Sequence, residues 1–368
     1  MRIESLELEQ FRNYRLQRMD FDPRCNVIFG ANAQGKTNLL EAILYLSCGK
    51  SPRARSDREM IGFDAAAARL TATVLARERV FQVQAELFRD RRRKLSVNKV
   101  PAKNSAALSE VYHTVYFRPE DLFLIREGAA ARRKFLDAAL CQLRPRYAAA
   151  LTAYGRLYDH KTRILRDSEE RPDLLAALPD FNEQMVRFGA VLIHYRAQFA
   201  QALGKYAAVH HRECSGGKET LEIRYQTVSS VTDPFADLPV LTQQLREHME
   251  RHQAAERASR LCLSGPHKDD LSVTINGKDA KMYASQGQTR TAALSMKLAE
   301  REIYQNATGE YPVLLLDDVL SELDDGRKQY LLTRMREKQT FVTSCDDTAF
   351  LKTDGEVYRM NGGVLSKI

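Results

Sequence analysis

Gly30-Ala31-Asn32-Ala33-Gln34-Gly35-Lys36-Thr37 reads G-x-x-x-x-G-K-T, the pattern of a backbone loop that cradles phosphate. Its flanks suit it. Cys25–Phe29 is a short apolar run with strand character, and Leu39, Leu40, Ile43, Leu44 and Leu46 follow a helical period. Strand, loop and helix in that order are the context the pattern requires. The glycines let successive N–H groups converge on one anion, and the helix N-terminus adds its positive field. Lys36 is expected to reach the β- and γ-phosphates, and Thr37 to offer its hydroxyl to Mg²⁺. The stretch Gly30–Asn38 thus predicts a nucleoside triphosphate site.

A second element completes the chemistry. Val313-Leu314-Leu315-Leu316-Asp317-Asp318 reads as a buried parallel strand that ends in two carboxylates, a Walker B pattern. Asp317 is expected to hold Mg²⁺ beside Thr37. Asp318 stands where related ATPases usually have a water-activating glutamate, and Lys36, Asp317 and Asp318 are the catalytic candidates. Ser321 and Asp324 fall in the pattern of a D-loop. Ser285-Gln286-Gly287-Gln288 lies 32 residues ahead of Asp317 and opens a helix, as an ABC signature does. Signature, Walker B and D-loop in that order predict an ABC-type P-loop ATPase, α/β in class. In that class the P-loop of one subunit and the signature of its partner close over each nucleotide, so ATP is expected to hold a two-fold dimer together.

Composition narrows the setting. The chain has 368 residues, 56 Lys and Arg against 48 Asp and Glu, and a net charge of +8. Its pI is near 9.1 and its mean hydropathy −0.43. No apolar run approaches the roughly 20 residues that span a bilayer, so no membrane association is expected. Met1–Glu7 alternates like a strand and lacks a signal peptide's apolar core. The six cysteines are scattered, with no C-x-x-C pair, which predicts reduced thiols, a cytoplasmic protein and no zinc site. The basic residues cluster at Arg53, Arg55 and Arg58, at Arg89 to Lys94, and from Arg126 to Arg166, the last including Lys161. Such clusters suit nucleic-acid phosphates. Arg91, Arg92, Arg93 and Lys94, with Arg132, Arg133 and Lys134, are the DNA-binding candidates.

Along the chain, residues 1–120 read as the first part of the ATPase head, with strands at Ile3–Leu8, Cys25–Phe29, Arg69–Leu75, Val80–Leu87 and Val111–Phe117 and a turn near Asn98-Lys99. Residues 121–260 read as a mainly helical inserted lobe, with helices at Ala129–Leu143, Tyr147–Arg166, Pro179–Tyr206 and Leu238–Leu261 and one strand near Thr220–Thr227. Residues 261–368 read as the second part of the head, with a hairpin at Asn276-Gly277, a helix over Gln288–Gln305 and strands at Val313–Leu316 and Thr340–Ser344. No heptad is sustained across the insert. His210-His211 reads as surface, and Ser264–Leu271, despite His267, Asp269 and Asp270, as a strand-to-turn buttress rather than a metal or nuclease site.

Ser285 lies 249 positions after Lys36, too long a separation for a transporter nucleotide-binding domain. At this point the chain resembles the RecF family, the bacterial recombination-mediator ATPases of the RecFOR DNA-repair pathway. The resemblance runs through Asn26–Asn38, Phe117–Leu122, Arg132–Asp137, Ser264–Leu271 and Leu315–Asp324. It departs at Glu127-Gly128-Ala129, where the family has a Gly-small-Pro turn. Against wider ABC ATPases there is no Q-loop glutamine at Phe117-Arg118-Pro119-Glu120. There is also no switch histidine, whose place after Phe341-Val342-Thr343 is read as Ser344, ahead of Cys345-Asp346. The resemblance implies an ATP-dependent DNA-binding dimer acting at gaps between single- and double-stranded DNA, with RecR and RecO as partners, RecA as the recombinase loaded, and slow ATP hydrolysis. An SMC-like clamp that only binds ATP, and a nuclease of the overcoming-lysogenization type, are the rival readings.

Overall fold

The computed structural model describes residues 1–335, 338–345 and 355–368, and the chain forms two compact units. One comprises Met1–Leu122 with Lys297–Ile368, the other Phe123–Met296.

The first unit carries two six-stranded sheets. In the antiparallel one, β1 (Arg2–Phe11), β2 (Tyr14–Asp20), β4 (Ala67–Ala76), β5 (Arg79–Phe88), β6 (Lys94–Val97) and β7 (Val100–Ala102) lie in the order β2-β1-β4-β5-β6-β7. Alternate residues of β4 are buried, as period-two patterning demands of a sheet with one core face. The other sheet runs β15-β14-β3-β13-β12-β8. It is built from β3 (Cys25–Phe29), β8 (Thr114–Phe117), β12 (Val313–Asp317), β13 (Thr340–Ser344), β14 (Glu356–Asn361) and β15 (Val364–Lys367). All neighbours in it pair parallel except β14 with β15. Every residue of β8, β12 and β13 is buried, which is why these strands read as unbroken apolar runs.

Helix α1 (Lys36–Cys48) packs against both sheets, and only a helix apolar nearly all round can do so. The core of the unit gathers Leu39, Leu40, Ile43 and Leu46 with Leu6, Leu8, Leu70, Val74, Leu315 and Phe341. The short α2 (Ala106–Ser109) precedes β8, so the strand expected from Val111 begins only at Thr114.

The second unit holds α3 (Ala129–Leu143), α4 (Pro145–Asp167), α5 (Leu178–Cys214) and α6 (Leu238–Ser259). It also holds an antiparallel sheet of β9 (Leu221–Gln226), β10 (Asp270–Ile275) and β11 (Lys278–Asp279). The 37-residue α5 packs on α4, α6 and β9. After α7 (Ala280–Tyr283), helix α8 (Gln286–Thr308) runs on into the first unit, and α9 (Asp325–Met335) follows β12 there. Residues 261–296 thus pack with the second unit. Among the elements whose pattern was too weak to be expected are β2, β14 and β15. β2 buries only Tyr14 and Met19 among polar neighbours, and β14 and β15 form a hairpin at the sheet edge. Among the described residues no helix is long and apolar enough to cross a membrane.

Candidate active site

Strands β3, β13 and β12 are neighbours, so the residues at their C-terminal ends converge, the edge where open α/β sheets bind ligands. Gly35 has a φ of +117° and a Cβ there would lie 2.7 Å from the Asn13 amide, so only glycine fits at the entry to α1. The loop is held from outside. Asn13 Nδ2 and the Gly363 amide both donate to the Gln34 carbonyl, at 2.9 and 3.0 Å. Asn38 Nδ2 donates to Asn13 Oδ1 at 2.8 Å. Ala31, Asn32 and Ala33 remain exposed. Lys36 Nζ curls back to donate to the carbonyls of Gly30 and Ala31, at 2.5 and 3.0 Å. This is the stance of a lysine whose charge lies over the cradle.

Asp317 collects three hydroxyl donors. Thr37 Oγ1 and Thr343 Oγ1 donate to its Oδ1 at 2.9 and 3.0 Å, and Tyr116 OH donates to Oδ2 at 2.6 Å. Burial first, and then the Asp317 charge, push the Tyr116 phenol far above its ordinary value, so it stays a donor. The Asp317 side chain thus accepts from hydroxyls on both of its oxygens. Paired with the Thr37 hydroxyl it offers the hard oxygen donors that suit Mg²⁺, which keeps several waters and takes few protein ligands. Thr37 and Asp317 would hold that ion, and its charge would offset the negative charge of the phosphates. Tyr116 and Thr343 were not foreseen. Tyr116 sits directly before the Phe117-Arg118 stretch, which lacks a Q-loop glutamine.

Asp318 adopts a left-handed backbone with φ of 55°, a conformation that Asp tolerates better than most residues. Its amide donates to Thr343 Oγ1 at 3.0 Å, and Ser321 Oγ donates to its carbonyl at 2.7 Å. Burial raises the Asp318 carboxyl, Lys36 opposes the rise and Asp317 adds to it, and the balance lies above the ordinary aspartate value. The side chain placed beside this group is Cys345 rather than Ser344. Ser344 instead accepts the Gly30 amide on its carbonyl, at 3.3 Å. Cys345 Sγ lies 2.9 Å from Asn32 Oδ1, 3.5 Å from Lys36 Nζ and 4.0 Å from Asp318 Oδ2. Asp346 lies outside the described residues. In the D-loop stretch, Asp324 caps α9 by accepting the Arg327 amide at 2.9 Å.

In the second unit, Ser285 and Gln288 form a reciprocal capping box. The Gln288 amide donates to Ser285 Oγ at 3.2 Å, and the Ser285 amide to Gln288 Oε1 at 2.8 Å. This fixes the start of α8, with Ser285 and Gln286 exposed and Gly287 and Gln288 half-buried.

The basic candidates divide. Arg91, Arg92, Lys94 and Lys134 are exposed. Arg93 instead donates to Tyr45 OH and the Gly49 carbonyl, at 2.7 and 2.6 Å, and pairs with Asp57. Arg132 is only 6% exposed; it grips Asp270 through two nitrogens, at 2.7 and 2.8 Å, and caps the Ile125 and Glu127 carbonyls. Arg133 donates to the Asp269 carbonyl at 2.6 Å. Lys161 is fully buried against Glu256 at 2.6 Å. Contrary to the sequence expectation, Arg93, Arg132 and Lys161 do not stand free for phosphate, because protein oxygens already meet their charge.

The Ser264–Leu271 stretch is a polar knot. Arg196 bridges Asp137 and Asp269, each at 2.8 Å, and caps the Pro266 carbonyl at 2.7 Å. His267 is held between Tyr154 OH at 2.8 Å and the Cys262 carbonyl at 3.0 Å. No group of three or more His, Cys, Asp or Glu able to hold a metal occurs among the described residues. His210 and His211 are buried rather than on the surface, and His211 pairs with Glu219 at 3.0 Å.

A P-loop and a Walker B carboxylate that meet at the ends of parallel strands, beside an antiparallel sheet packed on the same helix, define the head of an ABC-type ATPase. The family of the RecF/RecN/SMC N terminal domain matches over residues 2–362. The DNA replication and repair protein RecF of Bacillus subtilis is 37% identical, with all of both chains covered. That of Agathobacter rectalis is 36% identical over 97% of this chain and 96% of its own. The solved structure of the recombination mediator protein RecF-ATPrS in the RecFOR pathway superposes with a TM-score of 0.93 at 32% identity, covering 100% of this chain and 98% of that one. That of RecF-ATP gives 0.89 at 32% identity, covering 100% and 97%. The Smc head domain from Pyrococcus furiosus shares the fold, with a TM-score of 0.56 at 17% identity and coverage of 100% and 95%. The chain belongs to the RecF family.

Proposed function

We propose that this chain is an ATP-dependent DNA-binding dimer of recombinational repair and replication restart, acting in the cytoplasm at single-strand gaps to help load a recombinase. RecR and RecO are its expected partners, and RecA the protein loaded. The observation that carries the reading is the meeting of Thr37 and Asp317 in a chain that aligns end to end with RecF relatives. Lys36 and the amides of Gly30–Asn38 bind the triphosphate of ATP, and Thr37 and Asp317 hold Mg²⁺. Ser285–Gln288 of a second copy closes over the γ-phosphate, flanked by the D-loop residues Ser321 and Asp324. Asp318 is the water-activating base. It is one methylene shorter than a glutamate, and a misplacement of about 1 Å costs roughly 10²-fold in rate, so hydrolysis is slow and serves to release the dimer. Arg91, Arg92, Lys94 and Lys134 are the exposed cations offered to DNA phosphates. Sedimentation velocity with and without ATP and gapped DNA tests the reading. A dimer that forms only when ATP is present supports it, and a monomer under every condition rejects it.

A further inference from the structure

Two basic segments far apart in the sequence meet in the first unit. Residues 50–59 follow α1, and residues 89–94 join β5 to β6. Arg93 of the second segment pairs with Asp57 of the first at 3.4 Å and donates to the Gly49 carbonyl at 2.6 Å. Tyr45 OH, which accepts from Arg93, donates to Asp57 Oδ1 at 2.9 Å. Gly49 has a φ of +66° and a Cβ there would lie 2.5 Å from the Ser105 side chain, so the chain leaves α1 along a single path. Together the segments carry nine Lys and Arg against Asp57, Glu59 and Asp90. Lys50, Arg55, Arg58, Arg91 and Arg92 are exposed and have no ion-pair partner among the described residues.

The first segment is also wired to the phosphate cradle. Glu41 on α1 is fully buried and receives Arg12 on both oxygens, at 2.8 and 2.9 Å, with Ser51 Oγ and Arg53 NH2 each at 2.5 Å. Arg53 NH2 also reaches Asn38 Oδ1 at 2.6 Å, one residue beyond Thr37. Burial would push the Glu41 carboxyl up, but these donors outweigh it and hold it below the ordinary glutamate value. One guanidinium nitrogen thus links the first turn of α1, at Asn38, to the buried Glu41 that also receives Ser51 of the basic segment.

We infer that Lys50, Arg55, Arg58, Arg91, Arg92 and Lys94 form one DNA-phosphate surface, and that Arg53 is the positioning residue through which the nucleotide cradle sets its posture. The inference rests on the reading of this chain as an ATP-dependent DNA-binding protein and adds to it where phosphate is gripped and how ATP is felt there. Exposed cations without ion-pair partners suit a polyanion, whose binding falls with salt in proportion to the contacts made.

The test measures affinity for a gapped duplex over a range of salt, with and without ATP, in wild type, R55A/R58A, R53A and R53K. Circular dichroism and ATP affinity confirm that each variant is folded. R55A/R58A should bind ATP as wild type does, lose about tenfold in DNA affinity and flatten the salt slope by about two. R53A and R53K should still bind ATP and DNA, but ATP should no longer alter DNA affinity, since one nitrogen, NH2, contacts both Asn38 and Glu41 and neither replacement side chain extends that far. Wild type that binds DNA equally with and without ATP overturns the underlying reading. An ATP-responsive wild type with an unchanged R55A/R58A overturns the surface alone, and an R53A that keeps the full ATP response overturns the coupling.

Discussion

Thr37 Oγ1 donates to Asp317 Oδ1 at 2.9 Å although the two residues stand 280 positions apart. The parallel sheet makes this possible, because β3 and β12 both flank β13 and deliver their C-terminal ends to one edge. Tyr116 and Thr343 hold the same carboxylate from the strands on either side of β12.

Asp317→Asn should therefore separate binding from turnover. Removing the charge that Mg²⁺ requires should lower phosphate release at least about 100-fold, a rise of about 3 kcal/mol in the barrier. Binding of ATP without Mg²⁺ should change little. Unchanged turnover under saturating Mg²⁺ would remove Asp317 from the metal site.

Ser285→Arg should leave ATP affinity of the monomer intact, since Ser285 belongs to the capping box of α8 and not to the P-loop. It should abolish ATP-driven dimerisation by placing a bulky side chain where the partner's nucleotide must sit. Sedimentation with ATP decides this, and a full dimer in the variant sinks the shared-site arrangement.

Asp318 must be ionised to act as a base, and burial raises its carboxyl above the ordinary aspartate value. Single-turnover hydrolysis should fall as pH drops through that raised value, so the acid limb should lie higher than an unperturbed aspartate gives. Asp318→Asn should lose this limb together with DNA-stimulated activity. An ATPase rate insensitive to Asp318→Asn would favour a clamp that binds ATP without using its hydrolysis.

His267 gives a stability signature. Burial lowers its imidazole to about 4 from the usual 6.5, so between those values the unfolded chain binds the extra proton. Its contribution is complete above pH 6.5 and is lost as pH falls towards 4, amounting to about 3 kcal/mol. Denaturant unfolding of wild type and His267→Gln at pH 7.5 and 4.5 checks it. The wild type should lose more stability on acidification than the variant, and equal losses would reject the assignment.

Arg132→Ala and Lys134→Ala should act in opposite ways. The first strands the Asp270 carboxylate and should cost about 3 kcal/mol of stability without altering the salt slope of DNA binding. The second should leave the melting temperature alone and flatten that slope by about one. Reversed effects would return Arg132 to the DNA surface.

The strand and helix around the P-loop and the Walker B strand were legible because each is a local pattern. Val313–Asp317 announces itself as continuous apolar residues, and Ser285-x-x-Gln288 as a helix start. β2 escaped because five of its seven residues face away from the core, which leaves no period to read. Cys345 rather than Ser344 lies beside Lys36 and Asp318, since successive residues at a strand end face opposite ways and a single step changes which side chain meets the cradle.

From its own order of residues the chain determined the α/β class, the triphosphate cradle and the carboxylates that serve it. Those features depend on neighbours within a few positions. Only the tertiary structure decided which charges are free. Arg93 and Arg132 look like Arg91 and Arg92 in sequence, but their partners, Asp57 and Asp270, lie 36 and 138 residues away. An arginine's role rests on whether an oxygen waits beside it, and that is settled by how distant segments pack.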